Sequence, residues 1–354
     1  MIGRILLCFL ILAHLSFTSS LVALGNKTLT KKSSKRRSAQ TARKKRLGNR
    51  KRKPLAATAK PKAAAVSVPV DVAASDAVAD VVPIKKHYVT SQGKTLHLKI
   101  KAPQPLHTAY TSFAGTQYTF HPIPSHERYY ECFIPVDCQQ QPGSYNVIIK
   151  TENNAQEKKS IGCSLRVEPF PFQRQRGFKL SKKKRHLLKR AGIGSGDSSL
   201  ILNYKSPYPD TKLWNGPFIE PINVQGVTAP FGEIRTSKKY GLRHHLGIDL
   251  VDAPRSPIHA ANDGVLAART HTPMGGNVVA IDHGRGIFTI YCHLDSFASG
   301  LTVGSRISKG QRIGRIGMTG YASGYHLHLE MRIKDTRGKK STAVDFMEWT
   351  TAIY

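Results

Sequence analysis

Between residues 83 and 169 the chain reads as short runs of alternating apolar and polar positions separated by turn signals. Such alternation indicates strands that bury one face and expose the other. Strands are predicted at residues 96–103, 129–137, 145–153 and 160–169, with turns at 141–144 and 152–156. Several short strands at near-regular spacing, with little helix, favour a β-sandwich-like domain over residues 83–169.

A second β-rich pattern, punctuated by glycine and almost without helical periodicity, extends from residue 200 to residue 350. Strands are predicted in it at residues 264–268, 277–282, 288–293, 312–317 and 326–333. The predicted fold class is therefore mostly β, with the β-sandwich-like domain preceding an antiparallel-β domain at 200–350.

The first 25 residues have the layout of a secretory signal peptide. Arg4 precedes an apolar run at residues 5–17, and the small residues Ala23 and Gly25 suit cleavage after Gly25. The run is shorter than the ~20 residues that a membrane-spanning helix needs. We therefore expect export to the periplasm, the cell envelope or the medium; an uncleaved membrane anchor is the alternative.

Two basic segments lie outside the β-rich patterns. Residues 26–82 are predicted to be a disordered tail, because residues 26–63 hold sixteen Lys and Arg but no acidic or aromatic residue. Residues 170–199 form a second basic stretch, which we interpret as a solvated connector. A short amphipathic helix on a membrane surface is the alternative for this stretch.

The whole chain carries 54 Lys and Arg against 22 Asp and Glu, a formal net charge of +32. Such an excess says nothing about the fold, but it favours association with an anionic surface. An exported chain meets the cell envelope first. The predicted partners of the tail are therefore anionic envelope polymers or a membrane surface, and no specific nucleic-acid partner is expected.

The five cysteines are too few for a disulfide scaffold and lack the Cys-x-x-Cys spacing of a zinc ribbon. Three of them, Cys132, Cys138 and Cys163, fall in the β-sandwich-like domain. An oxidising compartment favours one disulfide among these three. The sequence does not select the pair.

Three short strings carry the histidines of greatest chemical interest. They are HLGID at 245–249, YCHL at 291–294 and HLHLE at 326–330. A His and an Asp four residues apart, followed by a distant His-x-His pair, form the inventory of a three-ligand zinc site. On a straight strand His245 and Asp249 would lie roughly 13 Å apart, so the chain is predicted to bend at Gly247.

The pleat of a strand predicts where the other histidines point, because alternate residues share a face. His326 and His328 should therefore face the same way. By the same rule Tyr291 and His293 should share a face, with Cys292 turned to the opposite side.

These strings together resemble the lysostaphin/LytM-like zinc metallopeptidases, which cleave peptide cross-links in bacterial cell walls. That family carries His-x(3)-Asp, then Tyr-x-His-Leu, then His-x-His within a Gly-x-Thr-Gly-x(3)-Gly-x-His-Leu-His-x-Glu run. Here the last run is GMTGYASGYHLHLE at 317–330, and the resemblance covers roughly residues 214–348. Tyr325 stands where the family commonly has Pro, Leu329 where it has Phe, and Cys292 where it has a small residue.

The resemblance implies one zinc ion held by His245, Asp249 and His328, with a fourth position for water. It implies catalytic roles for the two histidines that do not bind the metal. His326 would be the general base, and His293 would stabilise the tetrahedral intermediate or share the proton transfers. These two assignments could be exchanged.

We therefore interpret the chain as an exported zinc endopeptidase that hydrolyses peptide cross-links of peptidoglycan, with a β-rich accessory domain preceding a lysostaphin-type metallopeptidase domain. Both D,D-cross-links and pentaglycine bridges are cut within the family, and a D,D-endopeptidase is the expectation here. The alternative is a non-catalytic lysostaphin-fold module that binds the wall and regulates other hydrolases. All five site residues are present, which favours the enzyme.

Overall fold

The computed structural model of the protein describes residues 80–124, 126–175, 198–237 and 241–354. The predicted signal peptide, the tail as far as residue 79 and the connector from residue 176 to residue 197 lie outside the described residues. The described residues belong to one compact unit, residues 72–354. No helix in these ranges combines the length and apolar character that a membrane crossing requires.

The N-terminal region, residues 82–168, forms two sheets that pack face to face. Its strands are β1 Val82–Pro83, β2 His87–Ser91, β3 Thr95–Lys101, β4 Leu106–Phe113, β5 Thr116–Thr119, β6 His121–Ile123, β7 His126–Pro135, β8 Gly143–Asn153 and β9 Lys158–Glu168. One sheet has the order β1-β3-β7-β6 and the other β2-β9-β8-β4-β5. All neighbours are antiparallel except β2 and β9, which run parallel. Alternate residues of β8 and β9 are buried, as their sequence pattern predicts.

The C-terminal region, residues 198–354, is built on a ten-stranded sheet. The strands that follow β9 are β10 Arg174–Gln175, β11 Gly226–Ala229, β12 Ile234–Ser237, β13 Gly241–His244, β14 Ile248–Val251, β15 Pro257–His259, β16 Gly264–Thr272, β17 Gly276–Asp282, β18 Ile287–Phe297, β19 Arg306–Ile307, β20 Arg312–Ile316, β21 Leu327–Lys334 and β22 Ser341–Val344. Two short helices are described, α1 Ser198–Leu202 and α2 Phe346–Trp349. The main path of the sheet is β11-β14-β21-β18-β17-β16-β19, and β10, β12 and β13 form a separate small sheet.

The prediction of a mostly-β fold with an antiparallel C-terminal sheet is confirmed. Each of the nine predicted strands overlaps an observed one; β16 and β18 extend four residues beyond the predicted ends at 268 and 293. The strands that the pattern missed are short or partly exposed, as in β13, and therefore lack clear alternation.

A shared hydrophobic core joins the two regions. Leu98 and Ile134 of the N-terminal region belong to the same buried cluster as Leu294 and Trp349 of the C-terminal region. The Phe133 ring lies 5.6 Å from the Trp349 ring. The N-terminal region therefore packs directly on the C-terminal sheet.

The three cysteines of the N-terminal region are buried free thiols, so the expected disulfide is absent from the described residues. Cys132 and Cys163 lie on β7 and β9, which belong to opposite sheets, and Cys138 packs in a separate cluster with Phe231 and Ala343. Burial raises the pKa of Cys138 to about 12 and that of Cys163 to about 11, which keeps both protonated. The prediction of one disulfide among these residues is therefore wrong.

Candidate metal centre

The central strands of the C-terminal sheet bring the predicted ligands together. Asp249 on β14 is the direct antiparallel partner of His328 on β21, so both side chains project from the same face. His245 lies in the bend between β13 and β14. Gly247 lies in this bend, but its essential property is its lack of a side chain. A Cβ atom there would approach the His328 ring to 2.7 Å, so only glycine lets the two segments pass this closely.

The three predicted ligands present their donor atoms to one point. His245 Nε2 lies 3.0 Å from His328 Nδ1 and 3.1 Å from Asp249 Oδ1, and the last two atoms are 2.8 Å apart. These three side chains form the one group in the described residues whose ligand atoms could hold a metal ion. Two imidazole nitrogens and a carboxylate oxygen are a donor set that suits zinc.

The second nitrogen of each ligand histidine is anchored by an acceptor. His245 Nδ1 donates to the carbonyl oxygen of Pro230 at 3.1 Å, and His328 Nε2 donates to Glu330 Oε1 at 3.1 Å. A carbonyl accepts but cannot donate, so the proton of a neutral His245 resides on Nδ1. These bonds direct His245 Nε2 and His328 Nδ1 toward the ligand position.

Glu330, two residues beyond His328 on β21, both orients this ligand and pairs with Arg332, and it is buried. Arg332 Nε donates to Glu330 Oε2 at 2.5 Å while His328 occupies the other oxygen. Burial alone would raise the pKa of Glu330, but the Arg332 charge and the hydrogen bond from His328 lower it to about 2. The side chain is therefore a permanent anion behind the ligand.

The electrostatics differ between the two ligand histidines. Burial lowers the pKa of His245. Burial also opposes the charged form of His328, but hydrogen bonds with Asp249 and Glu330 outweigh it and raise the pKa of His328 to about 10. The pKa of Asp249 falls well below its usual range, because its contacts with the two histidines outweigh its burial. Without a metal, a proton on His328 thus links the two carboxylates.

A second cation approaches the ligand carboxylate from outside. Arg235 on β12 places Nη2 3.6 Å from Asp249 Oδ2, and its Nε bonds to Glu233 at 2.8 Å. Its backbone pairs with Gln175 of β10, so the segment that follows the N-terminal region supports the strand that carries Arg235.

His293 reaches the same face as His328 through a break in the pleat, and the prediction from simple alternation is wrong here. Tyr291 belongs to the main core, whereas Cys292 is the direct strand partner of His328 and lies in a second buried cluster. Regular alternation would therefore turn His293 away from His328. A register shift between β17 and β18 and a φ of +66° at His293 reverse its direction. Its ring lies 5.9 Å from the ring of His328.

His326 joins this group from the start of β21, and its predicted common direction with His328 is observed. Its Nε2 lies 3.7 Å from Asp249 Oδ1, and its ring is 4.8 Å from the ring of His293. Its Nδ1 donates to the Gly324 carbonyl, and His293 Nδ1 donates to the Thr319 carbonyl, each at 2.9 Å. Burial lowers the pKa of His293 to about 3. A neutral His293 therefore offers an Nε2 lone pair.

Residues 243–344, which contain all five predicted site residues, match the family model described as Peptidase family M23. The chain contains an M23 peptidase domain. The match also includes Glu330 and Thr319, while Arg235 lies outside it.

Curated relatives share this M23 segment. The chain is 35% identical over 115 residues to the DD-carboxypeptidase/endopeptidase Mpg of Neisseria meningitidis, covering 32% of this chain and 26% of that protein. It is 37% identical over 90 residues to the peptidoglycan DD-endopeptidase ShyA of Vibrio cholerae, covering 25% of this chain and 20% of that protein. The matches thus span about a quarter of the length of these relatives.

A solved structure of a zinc containing peptidase from Vibrio cholerae is similar over 67% of this chain and 86% of its own, with 16% identity and a TM-score of 0.34.

The structure brings the five residues named from the sequence together, but the sequence did not indicate their supports. The Pro230 carbonyl and Arg235 have no motif spacing that marks them, and Thr319 belongs to the Gly-x-Thr-Gly run without a role that the sequence assigns to it. Their roles depend on long-range strand pairing and on a bulge, which no local pattern reports.

Proposed function

We propose that the protein is a zinc-dependent endopeptidase that hydrolyses peptide cross-links of bacterial peptidoglycan. The observation that carries this proposal is the convergence of His245, Asp249 and His328 on one point, with two further histidines on the same side. The M23 match and the relatives named as peptidoglycan DD-endopeptidases support the substrate class and favour the D,D-cross-link.

Zinc would be held by His245 Nε2, Asp249 Oδ1 and His328 Nδ1. An ion with three protein ligands supplies Lewis-acid chemistry, which activates a water molecule and polarises the scissile carbonyl. Glu330 and the Pro230 carbonyl hold the two imidazoles in the orientation that binding requires.

The two remaining histidines would move the proton. Each donates from Nδ1 to a backbone carbonyl, so each in its neutral form presents Nε2 as an acceptor. His326, whose Nε2 lies 3.7 Å from Asp249 Oδ1, takes a proton from the attacking water and returns it to the nitrogen of the leaving amine. His293 shares this transfer; whichever ring holds the proton becomes a donor to the oxyanion.

The same proposal places the enzyme outside the cytoplasm, in the periplasm or cell envelope, where its substrate lies. The basic residues of the tail would keep it close to anionic envelope polymers or a membrane surface. Deletion of residues 26–79 should therefore weaken salt-sensitive binding to purified sacculi.

Muropeptide mass profiling tests the activity directly. Purified sacculi are digested with the full chain, with the full chain plus chelator, and with the His245→Ala variant. Loss of cross-linked dimers only in the first digest is the expected result, and the product masses identify the bond. Dimers that persist in every digest, with zinc present in the protein, would contradict catalysis and favour a wall-binding regulator.

A further inference from the structure

His293 has a backbone conformation that residues other than glycine rarely adopt. Its φ of +66° falls in the left-handed region, at the bulge where β18 loses its regular pairing with β17. Such a conformation costs on the order of 1–3 kcal/mol and persists only where the surroundings fix it. The contacts that fix His293 are therefore part of what aims its ring.

One hydroxyl group joins the three segments that meet at this bulge. Thr319 Oγ1 donates to the Leu294 carbonyl at 2.8 Å and accepts from the Asn277 backbone N–H at 2.9 Å. The Thr319 carbonyl accepts from His293 Nδ1 at 2.9 Å. A single residue thus holds the backbone that follows His293 and also sets the tautomer of its ring.

The Asn277 side chain reinforces the same point. Its Nδ2 donates to the Leu294 carbonyl at 3.0 Å and to the Asp295 carbonyl at 3.1 Å. On the other side, the His293 backbone N–H donates to the Gly275 carbonyl at 2.6 Å. The residues on both sides of the left-handed position are therefore tied to neighbouring segments.

Two glycines allow the loop that carries Thr319 to come this close. A Cβ atom on Gly276 would lie 2.3 Å from Thr319 Oγ1, and one on Gly320 would lie 2.3 Å from the Gly276 nitrogen. The two loops are in backbone contact, because the Tyr321 N–H donates to the Met274 carbonyl at 2.8 Å. This packing leaves Thr319 little freedom to move away from His293.

We propose that Thr319 is a positioning residue for His293, and that its hydroxyl holds the left-handed backbone that aims the imidazole at the metal face. The inference rests on the proposed function, because it assigns His293 to the proton transfers. The Asn277 side chain, which also donates to the Leu294 carbonyl, is a second and weaker support. In the described residues Thr319 makes no hydrogen bond to any of the three metal ligands, so its loss should leave the metal in place.

The test compares a substitution that keeps the hydroxyl with one that keeps the size of the side chain, in the full-length, zinc-loaded chain. Thr319→Ser keeps the hydroxyl, whereas Thr319→Val replaces it with a methyl group and leaves the Asn277 N–H without its acceptor. On a purified cross-linked muropeptide dimer, kcat of Thr319→Val should fall about 10–100-fold, the scale of a displacement near 1 Å. KM and zinc content should stay near wild type, and Thr319→Ser should retain most of kcat.

A measurement without turnover separates this inference from the proposed function. Nitrogen-detected NMR of the His293 ring should show the Nδ1–H tautomer in wild type and in Thr319→Ser, and a mixture of tautomers in Thr319→Val. This result would support the positioning role even if the wild-type chain left sacculi intact. An unchanged His293 spectrum or full kcat in Thr319→Val would overturn the role, as would loss of zinc.

Asn277→Ala decides the matter if Thr319→Val does not fold. This variant removes both amide donors to the Leu294 and Asp295 carbonyls but keeps the Thr319 hydroxyl. It should shift the His293 tautomer and lower kcat in the same direction by a smaller factor, with zinc retained. A wild-type spectrum and wild-type kcat in Asn277→Ala would contradict the proposal.

Discussion

Two buried clusters of charged residues, of similar composition, serve different ends in this molecule. In the metal centre, His245, Asp249 and His328 direct three ligand atoms at one point. At the junction of the two regions, Glu131 of β7 accepts from Arg285 at 2.5 Å and from His97 at 2.8 Å. Both clusters contain an imidazole and a carboxylate with low solvent exposure. Only in the metal centre do the ligand atoms of these side chains point at a common position.

In the junction cluster the charged side chains satisfy one another by hydrogen bonds. Arg285 lies in the turn between β17 and β18 and also donates to the Pro122 carbonyl at 2.7 Å. Burial alone would raise the pKa of Glu131, but His97 and Arg285 lower it to about 2. Each carboxylate oxygen has a cationic or imidazole donor. Burial and a shifted pKa are therefore insufficient to identify a metal site. The distinguishing feature is a set of acceptor atoms that converge on one point.

The largest expected effect is at the metal centre. His328→Ala should lose zinc and reduce cross-link hydrolysis to the uncatalysed background, because two ligands hold the ion far more weakly than three. His293→Ala is the matched control: it should lose activity but keep one zinc per chain. Metal analysis by atomic absorption and muropeptide digestion measure both. Stoichiometric zinc in His328→Ala would remove the distinction drawn between the clusters.

The junction cluster should respond in stability and not in metal binding. Glu131→Ala leaves the Arg285 guanidinium, whose side chain is 2% exposed, without a counter-charge. Loss of one partner of a buried pair costs about 3–5 kcal/mol of unfolding free energy. Urea unfolding of the full chain measures this change, and zinc content should be unaltered.

The double variant Glu131→Met/Arg285→Met is the control for that prediction. Replacing both partners by apolar side chains is often neutral or stabilising. The double variant should therefore be markedly more stable than Glu131→Ala. Equal stabilities would show that the charges do not act as a pair.

A second carboxylate at the same junction gives a pH dependence of the opposite sign to that of Glu131. Glu348 of α2 accepts from the Thr95 backbone N–H at 2.9 Å, and its burial raises its pKa from 4.5 to about 7. The folded chain therefore holds this proton more tightly than the unfolded chain. The contribution of Glu348 to stability is fully present below pH 4.5 and is lost as the pH rises through about 7.

At pH 8 the loss amounts to on the order of 3 kcal/mol, from about 1.4 kcal/mol for each unit of pKa shift. Glu348→Gln keeps an acceptor but cannot ionise, so its advantage over wild type should grow between pH 5 and pH 8. Urea unfolding at both pH values measures the difference. A gap between the two chains that does not change with pH would contradict the raised pKa.

How far the sequence predicts the structure also differs between the clusters. The metal ligands follow from two strings, because a His-x-His pair within one strand and a His-x(3)-Asp across one bend have few arrangements. Glu131 and Arg285 carry no such signal. They meet because two separately patterned regions pack together, and the residues that meet across such an interface depend on the tertiary arrangement alone.

The same limit explains the one error of direction at the site. Alternation assigns His293 to the Tyr291 face, and it fails because an extra residue in β18 breaks the pleat. That bulge depends on Thr319 and Asn277, which are far from His293 in sequence. His293 is named from its motif, whereas its orientation depends on the neighbouring strands.

The smallest expected effect concerns a buried Arg–Glu pair that the metal centre and the junction both contain. Arg332 and Glu330 resemble Arg285 and Glu131, but the second oxygen of Glu330 accepts from a metal ligand. Glu330→Gln should weaken zinc binding about 10–100-fold, the usual range for a lost partner of a ligating histidine. Competition with a chelator measures the affinity, and Glu330→Asp offers a charged but shorter control. If Glu330→Gln bound zinc as tightly as wild type while unfolding more easily, the Glu330–Arg332 pair would stabilise the fold, like the pair at the junction. Zinc affinity would then depend on the three ligands and not on Glu330.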